Sequence, residues 1–389
     1  MRDKFPLFTA IIVHYNNGDY IYETIRSVLE QDYPNIELII SDDCSPNGFN
    51  ADGVINFIND HRRENLKRVV LNENSKNMGT VRHLEIVREK AQGEFELAIA
   101  ADDIWHDDHV FSAFAERFQE LGEDAEWIIS QVEMCDETLK NTSDLFVKPE
   151  IIRMVEAGKY QDLLDQEAHS CLLPGLGAAF RRSFFEKINH LSDDYYLIED
   201  YTTHLRALRM GIPVYYLDII SAKHRHGGIS HGNSRNGKIL YSRYVRDFLT
   251  IFEKEVEPYP ERFSEEAYNM GRKKYEYNLN HYQESISGLE WSENQEPIVS
   301  YASKVPFAKA LLRELKMPLI KLSRKEPVLA DARRLIMLFV LAALCRMGDG
   351  FVSEQLLVSV FQGAASVLLA LLAFRIGVNI LLRIWNRTR

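Results

Sequence analysis

Short apolar runs rich in Ile and Val alternate with stretches of helical spacing through the first third of the chain, and this alternation restricts its fold more than any other feature. The candidate strands are residues 8–13, 36–41, 68–71, 95–100 and 126–132, and the helical patterns between them cover 20–31, 53–61, 79–92 and 108–121. A βαβα order predicts a doubly wound, mostly parallel α/β sheet. Open sheets of that kind take their ligands outside the carboxyl ends of the strands. Here those ends are residues 14–16, 41–45, 72–79 and 101–103, each polar and turn-like.

The fourth of these ends says most about chemistry. Residues 97–108 read LAIAADDIWHDD, a run of the right length for a buried parallel strand that stops at Asp102 and Asp103. Adjacent carboxylates at such a place repel and lose hydration unless a cation or hydrogen-bond donors compensate them. A divalent metal carrying a phosphate accounts for both acids. An acidic first turn of the following helix accounts for only one.

At 389 residues the chain is long enough for two or three domains. Cys44, Cys135, Cys171 and Cys345 are widely separated, so neither a disulfide framework nor a zinc site is expected, and a reducing compartment is. The apolar run near the N-terminus is too short for a secretory signal, so no export is expected. Residues 303–389 carry 14 Lys and Arg against 5 Asp and Glu, a net +9, while the remainder carries −20 of the total −11. The acidic part excludes nonspecific nucleic-acid binding. The basic part contains the apolar runs 335–344 and 356–374, flanked by Arg333, Arg334, Arg346, Arg375 and Arg383. Two readings stay open for 335–385: peripheral contact with an anionic membrane face, or a helical hairpin buried within the protein or in a homo-oligomer.

Between 149 and 218 the alternation weakens, through a glycine-rich apolar turn (LLPGLGAAFRRSFF) and a second acidic pair, Glu199 and Asp200. A strand is expected at 213–217, followed by a ligand-closing loop over 223–237 that holds four glycines and three histidines. Long helices follow over 238–287, and 288–306 has the composition of a linker. The expected organisation is therefore an α/β domain over 1–236, a helical extension with linker over 237–302, and a basic apolar region over 303–389.

Four stretches in order resemble the inverting family 2 glycosyltransferases of the GT-A (nucleotide-diphospho-sugar transferase) fold, of the type used in bacterial polysaccharide synthesis. They are FTAIIVHYNNGDYIYETIRSVLEQDYPNIELIISDDCSPNG, then NENSKNMGTVRHLEIVREKAQGEF, then the Asp102–Asp103 pair with Ile104 and Trp105, and last LIEDYTTHLRALRMGIPVYYLD followed by KHRHGGIS. The resemblance implies a nucleotide base and ribose against His14, Tyr15, Asn16, Asp42 and Asp43, with Asp42 the first choice; an Asx-turn closing the strand is the alternative for Asp42. It implies Lys76 and Arg82 within reach of the diphosphate or sugar. Asp102 and Asp103 would hold Mg²⁺ or Mn²⁺ on the diphosphate. The chain departs from the family pattern at Ala100 and Ala101, where an Asp is common.

Asp200 stands in the position of the general base and Glu199 in that of its acceptor-orienting neighbour. Asp200 could equally cap the helix it opens, and a helix start predicts a low pKa for it. Of the loop that follows, His226 is the best match to a diphosphate- or metal-contacting histidine, with Ser230 nearby. Trp105 either walls the sugar site or packs in the core. The expected function is transfer of a sugar, with inversion, from a nucleotide sugar (UDP-sugar favoured) to a glycan or lipid-linked saccharide at the cytoplasmic face of the inner membrane. A nucleotidyltransferase is excluded, since HYNNGDY is not the glycine-rich basic loop that chemistry needs. The remaining alternative, favoured by Ala100 and Ala101, is a catalytically silent relative that binds glycans or scaffolds partners.

Overall fold

The computed structural model of the chain describes residues 5–191, 193–226 and 237–286. The chain divides into compact units of residues 1–300 and 301–389, and all described residues lie in the first. The expectations for 303–389, for the linker and for residues 227–236 of the glycine-rich loop, Ser230 included, fall outside the described residues.

The alternating pattern folds as its periodicity dictates. Strands β1 (Phe8–His14), β2 (Ile36–Asp42), β3 (Leu66–Glu73) and β4 (Phe95–Ala100) form a parallel block in the order β3-β2-β1-β4. The crossovers are α1 (Ile21–Leu29), α2 (Ala51–His61) and α3 (Thr80–Arg88). Within β1, Phe8, Ala10 and Ile12 face one core and Ile11 the other, and β2 divides Leu38 and Ile40 from Ile39 in the same way. Both faces of these strands are covered, which is why they read as unbroken apolar runs. Helices α1, α2 and α4 (Val110–Leu121) pack one face, and α3 packs the other.

The second half of the sheet is mixed. After β4 come β5 (Ile104–Trp105), β6 (Trp127–Cys135) and β7 (Thr142–Leu145), then α5 (Pro149–Glu156), α6 (Tyr160–Glu167), β8 (Ala178–Arg181), α7 (Ser183–Lys187), α8 (Asp200–Arg209) and β9 (Val214–Arg225). Strand β8 runs antiparallel to β4 and β6, while β9 runs parallel to β6. The glycine-rich turn thus supplies a central strand. Strand β9 is more than twice the expected 213–217, because residues 220–225 keep pairing with β6 beyond two register shifts and also pair with β5. The segment 223–225, expected to open the loop, is therefore sheet. Helices α9 (Gly237–Ile251), extended by a π turn over Phe252–Val256, and α10 (Glu265–Ile286) follow β9. Ile251, Phe252, Val256 and Ala267 from them join the core beneath α8. No helix of the described residues is long and apolar enough to cross a membrane.

Candidate active site

Polar residues gather where β1 and β2 end side by side. His14 Nδ1 lies 2.7 Å from Asp42 Oδ1, the amide of Ser45 donates to Asp42 Oδ2 at 2.9 Å, and the Ser45 hydroxyl donates to Asp42 Oδ1. Burial raises the proton affinity of Asp42, but the Ser45 and His14 bonds outweigh it and hold the carboxyl below its ordinary range. Asp42 thus closes an Asx-type turn and pairs with His14 in one arrangement. Asn16, in the left-handed region at φ 56°, donates its amide to Ser45 Oγ at 2.8 Å, so the turn presents Tyr15 and Asn16 outward.

Asp43 reaches the next loop. Its carboxylate accepts from Asn74 Nδ2 (2.8 Å) and from the amides of Met78 (2.8 Å) and Gly79 (3.0 Å), fixing the loop that carries exposed Lys76. Below it, buried His83 of α3 sits 2.6 Å from Ser41 Oγ, and burial holds its pKa under the ordinary histidine value. Arg82 points elsewhere, its Nε 3.8 Å from Asp193.

The two acids after β4 have different surroundings. Asp103 is buried, and its carboxylate accepts the Arg225 amide (2.7 Å) and pairs with His224 Nδ1 (3.0 Å). Burial alone would lower the His224 pKa, but the bond and charge of Asp103 reverse the sign and raise it. Asp102 is half-buried, and among the described residues its carboxylate bonds only its own amide. Burial and the neighbouring Asp103 charge push its pKa up. The Arg225 guanidinium clamps this turn through Asp102 O (2.7 Å) and Glu23 (2.7 Å). His226 lies one step beyond, exposed, with its amide on Cys135 O at 3.2 Å. Trp105 is core, edge-on to Phe111.

No three His, Cys, Asp or Glu side chains among the described residues converge to hold a metal by themselves. A carboxylate short of donors at a strand end still suits a hard cation that takes its other oxygens from a diphosphate and water.

Glu199 and Asp200 open α8. Glu199 Oε1 pairs with Arg88 at 2.8 Å; that arginine is buried, also bonds Glu96 (2.9 Å), and lies 3.6 Å over the Phe185 ring. Asp200 is not the cap, since Glu199 holds that position, and its Oδ1 takes the amide of Tyr201 at 2.8 Å. The low pKa expected from a helix start does not hold. Burial, reinforced by the Glu199 charge, pushes Asp200 up to about 6. Its surroundings explain the direction. A Cβ on Gly175 would stand 2.7 Å from Asp200 Cβ, so the backbone before β8 lies directly on this side chain. Nearby Glu167 is fully buried and raised to about 8 by burial, its Oε1 accepting the amides of Leu172 (3.0 Å) and Leu173 (3.2 Å) while Oε2 has no hydrogen-bond partner among the described residues.

Topology joins these groups. Because β8 is antiparallel to β4 with Leu97 opposite Ala179, the chain before β8 lies at the carboxyl end of β4, the edge that holds Asp102. Gly175, resting on Asp200, therefore stands at the same sheet edge as Asp102 and the ends of β1 and β2. Arg88, Glu167 and Gly175 were not singled out from sequence, while His224 and Arg225 were named there only as loop residues of the family-like segment with His226 and Ser230. Only the HxHGG-like context of β9 signals any of them. A cleft of about 750 Å³ between α1 and β5 is lined by Glu23, the carboxylate partner of Arg225, together with Arg26 and His106.

The family model described as "Glycosyl transferase family 2" matches residues 9–188. A Bacillus subtilis protein named for teichuronic acid biosynthesis as glycosyltransferase TuaG is 36% identical over 105 residues, 26% of this chain and 38% of its own length. The Escherichia coli protein WfaP, named as a UDP-Glc:α-D-GlcNAc-diphosphoundecaprenol β-1,3-glucosyltransferase, is 33% identical over 99 residues, 25% of this chain and 36% of its own. The match thus spans little more than a third of these relatives. Among solved structures, the mannosyltransferase PcManGT of Pyrobaculum calidifontis, in complex with GDP-Man and Mn²⁺, superposes with a TM-score of 0.49 at 17% identity, covering 83% of this chain and 84% of that one.

Proposed function

The chain carries a family 2 glycosyltransferase domain, and from that premise we propose that it transfers a sugar, with inversion, from a UDP-sugar to a glycan or lipid-linked saccharide in cell-surface polysaccharide synthesis. The observation that carries this reading is a carboxylate, Asp200, whose pKa of about 6 suits a base near neutral pH, at the sheet edge that holds the half-buried Asp102.

In this reading the outward turn of Tyr15 and Asn16, backed by the His14–Asp42 pair and by Asp43, receives the base and ribose, and Lys76 lies within reach of the diphosphate. Asp102 would be the protein's carboxylate for a Mg²⁺ or Mn²⁺ ion. Such an ion would neutralise charge on the leaving diphosphate. Asp103 holds the turn through His224 and Arg225, and His226 stands at its open end. Asp200 takes the proton of the acceptor hydroxyl as that oxygen bonds to the anomeric carbon. The bond from that carbon to the diphosphate oxygen breaks on the opposite side, and the nucleoside diphosphate leaves. Glu199, held by Arg88, orients the acceptor or its neighbour Asp200. The names of the relatives support a polysaccharide role, and that of WfaP a lipid-diphosphate acceptor. The basic apolar segment 335–385 would keep the enzyme at the cytoplasmic membrane face, beside such an acceptor.

A thermal-shift titration tests donor use. UDP should raise the melting temperature of the full chain, and further with Mn²⁺, while Asp102→Ala should lose the Mn²⁺ increment. A scaffold protein would show no shift with either.

A further inference from the structure

Asp247, on α9, lies outside the family-matched segment, is 2% exposed, and takes no part in the site described above. Its carboxylate accepts three consecutive amides: Tyr196 at 3.1 Å, Leu197 at 2.5 Å and Ile198 at 2.9 Å. Three N–H groups pointing at one centre form an anion-binding nest, and here the anion is a side chain of the helix that follows the glycine-rich loop. These residues belong to no strand or helix, so the carboxylate supplies partners that secondary structure does not.

The bound segment connects the two halves of the site. Tyr196 O accepts the Val81 amide at 3.3 Å, and its hydroxyl donates to Asn77 at 2.6 Å, in the loop fixed by Asp43. A Cβ at Gly79 would meet Tyr196 O at 2.6 Å, so that loop and this segment are in direct contact. Arg243 of α9 lies over the Tyr196 ring, 4.0 Å from its centroid. Two residues after Ile198 comes Asp200. The backbone held by Asp247 is therefore the rigid link between the donor-side loop and the proposed base.

We propose that Asp247 is a positioning residue: by gathering the amides of 196–198 it sets where Asp200 stands relative to the donor loop, making α9 part of the catalytic architecture. The inference rests on Asp200 being the base. A variant that loosens the link should misplace the base and leave the nucleotide contacts on β1 and β2 intact. A misplacement of about 1 Å is enough to cost on the order of a hundredfold in rate.

Asp247→Asn tests it, since an amide puts an N–H where backbone donors converge. UDP release from UDP-glucose and UDP-N-acetylglucosamine is measured on the full chain beside UDP affinity by calorimetry. We expect kcat to fall at least tenfold with UDP affinity within threefold. A kcat within twofold overturns the proposal, and so does a loss of UDP affinity in step with kcat, which marks a purely structural role. Hydrogen exchange on the unsubstituted chain adds an independent reading. The amides of 196–198 should be protected, and fast exchange there overturns the proposal whatever the variant does. Asp200→Asn runs alongside. If it keeps full turnover, the base assignment fails; if it is inactive while Asp247→Asn is fully active, only this inference fails.

Discussion

Asp102 and Asp103 are chemically identical neighbours, yet their surroundings divide them. Asp103 is consumed by the Arg225 amide and His224, whereas Asp102 bears a desolvation cost that the charges of His224 and Arg225 offset only in part. Asp103→Ala should therefore destabilise the fold by about 2–4 kcal/mol, because the buried Arg225 amide and the half-buried His224 lose a charged acceptor. Asp102→Ala should leave stability near that of the native chain and depress donor-dependent turnover; urea unfolding of both variants checks the contrast. Glu167 gives a pH prediction. Its folded pKa of about 8 lies above the ordinary 4.5, so the folded state holds the extra proton and stability falls as pH rises from about 4.5 through 8. Glu167→Gln retains an oxygen for the Leu172 and Leu173 amides and cannot ionise. Its melting temperature should match the native one near pH 5 and exceed it at pH 8.5, and parallel melting curves across that range would refute this. The acidic pairs were legible as residue types at strand and helix ends. Their protonation was not, since burial under Gly175 outweighed the helix start at Asp200, and a one-dimensional pattern carries no information about what lies above a side chain.

At the scale of elements, the parallel block was readable because each strand is covered on both faces and so writes a continuous apolar run into the sequence. Strand β8 and the far half of β9 were not. The first is hidden in a glycine-rich stretch, and the second carries Lys223, His224 and Arg225, which read as loop because the partner satisfying the arginine amide, Asp103, is 122 residues away. That strand brings the Arg225 clamp to the carboxylate turn. The approach of Gly175 to Asp200 is an element-level constraint with a direct test. Gly175→Ala inserts a methyl group 2.7 Å from Asp200 Cβ, so turnover should drop at least tenfold with the circular dichroism spectrum and UDP affinity preserved. Native turnover in that variant would show that the backbone can yield there, and that the close packing over the base has no catalytic consequence.

For the whole molecule, the division of charge, −20 before residue 303 and +9 from there onward, separates an acidic domain from a basic region with apolar runs. Such a region suits an anionic membrane face. A chain lacking residues 335–389 should move from the membrane pellet to the soluble fraction, and a full chain that is already soluble would remove the membrane reading. The compact unit of residues 1–300 should bind UDP by itself, since every nucleotide contact proposed here lies within it. The account depends most on Asp200 acting as the base, and turnover of a UDP-sugar between pH 5 and 8 by the native chain and by Asp200→Asn tests that most directly. Because the working form is the carboxylate, native activity should climb with pH through a midpoint near 6, while the variant should bind UDP unchanged yet turn over about a hundredfold or more slowly. Equal turnover in the two proteins, or a native profile flat across that range, would contradict it.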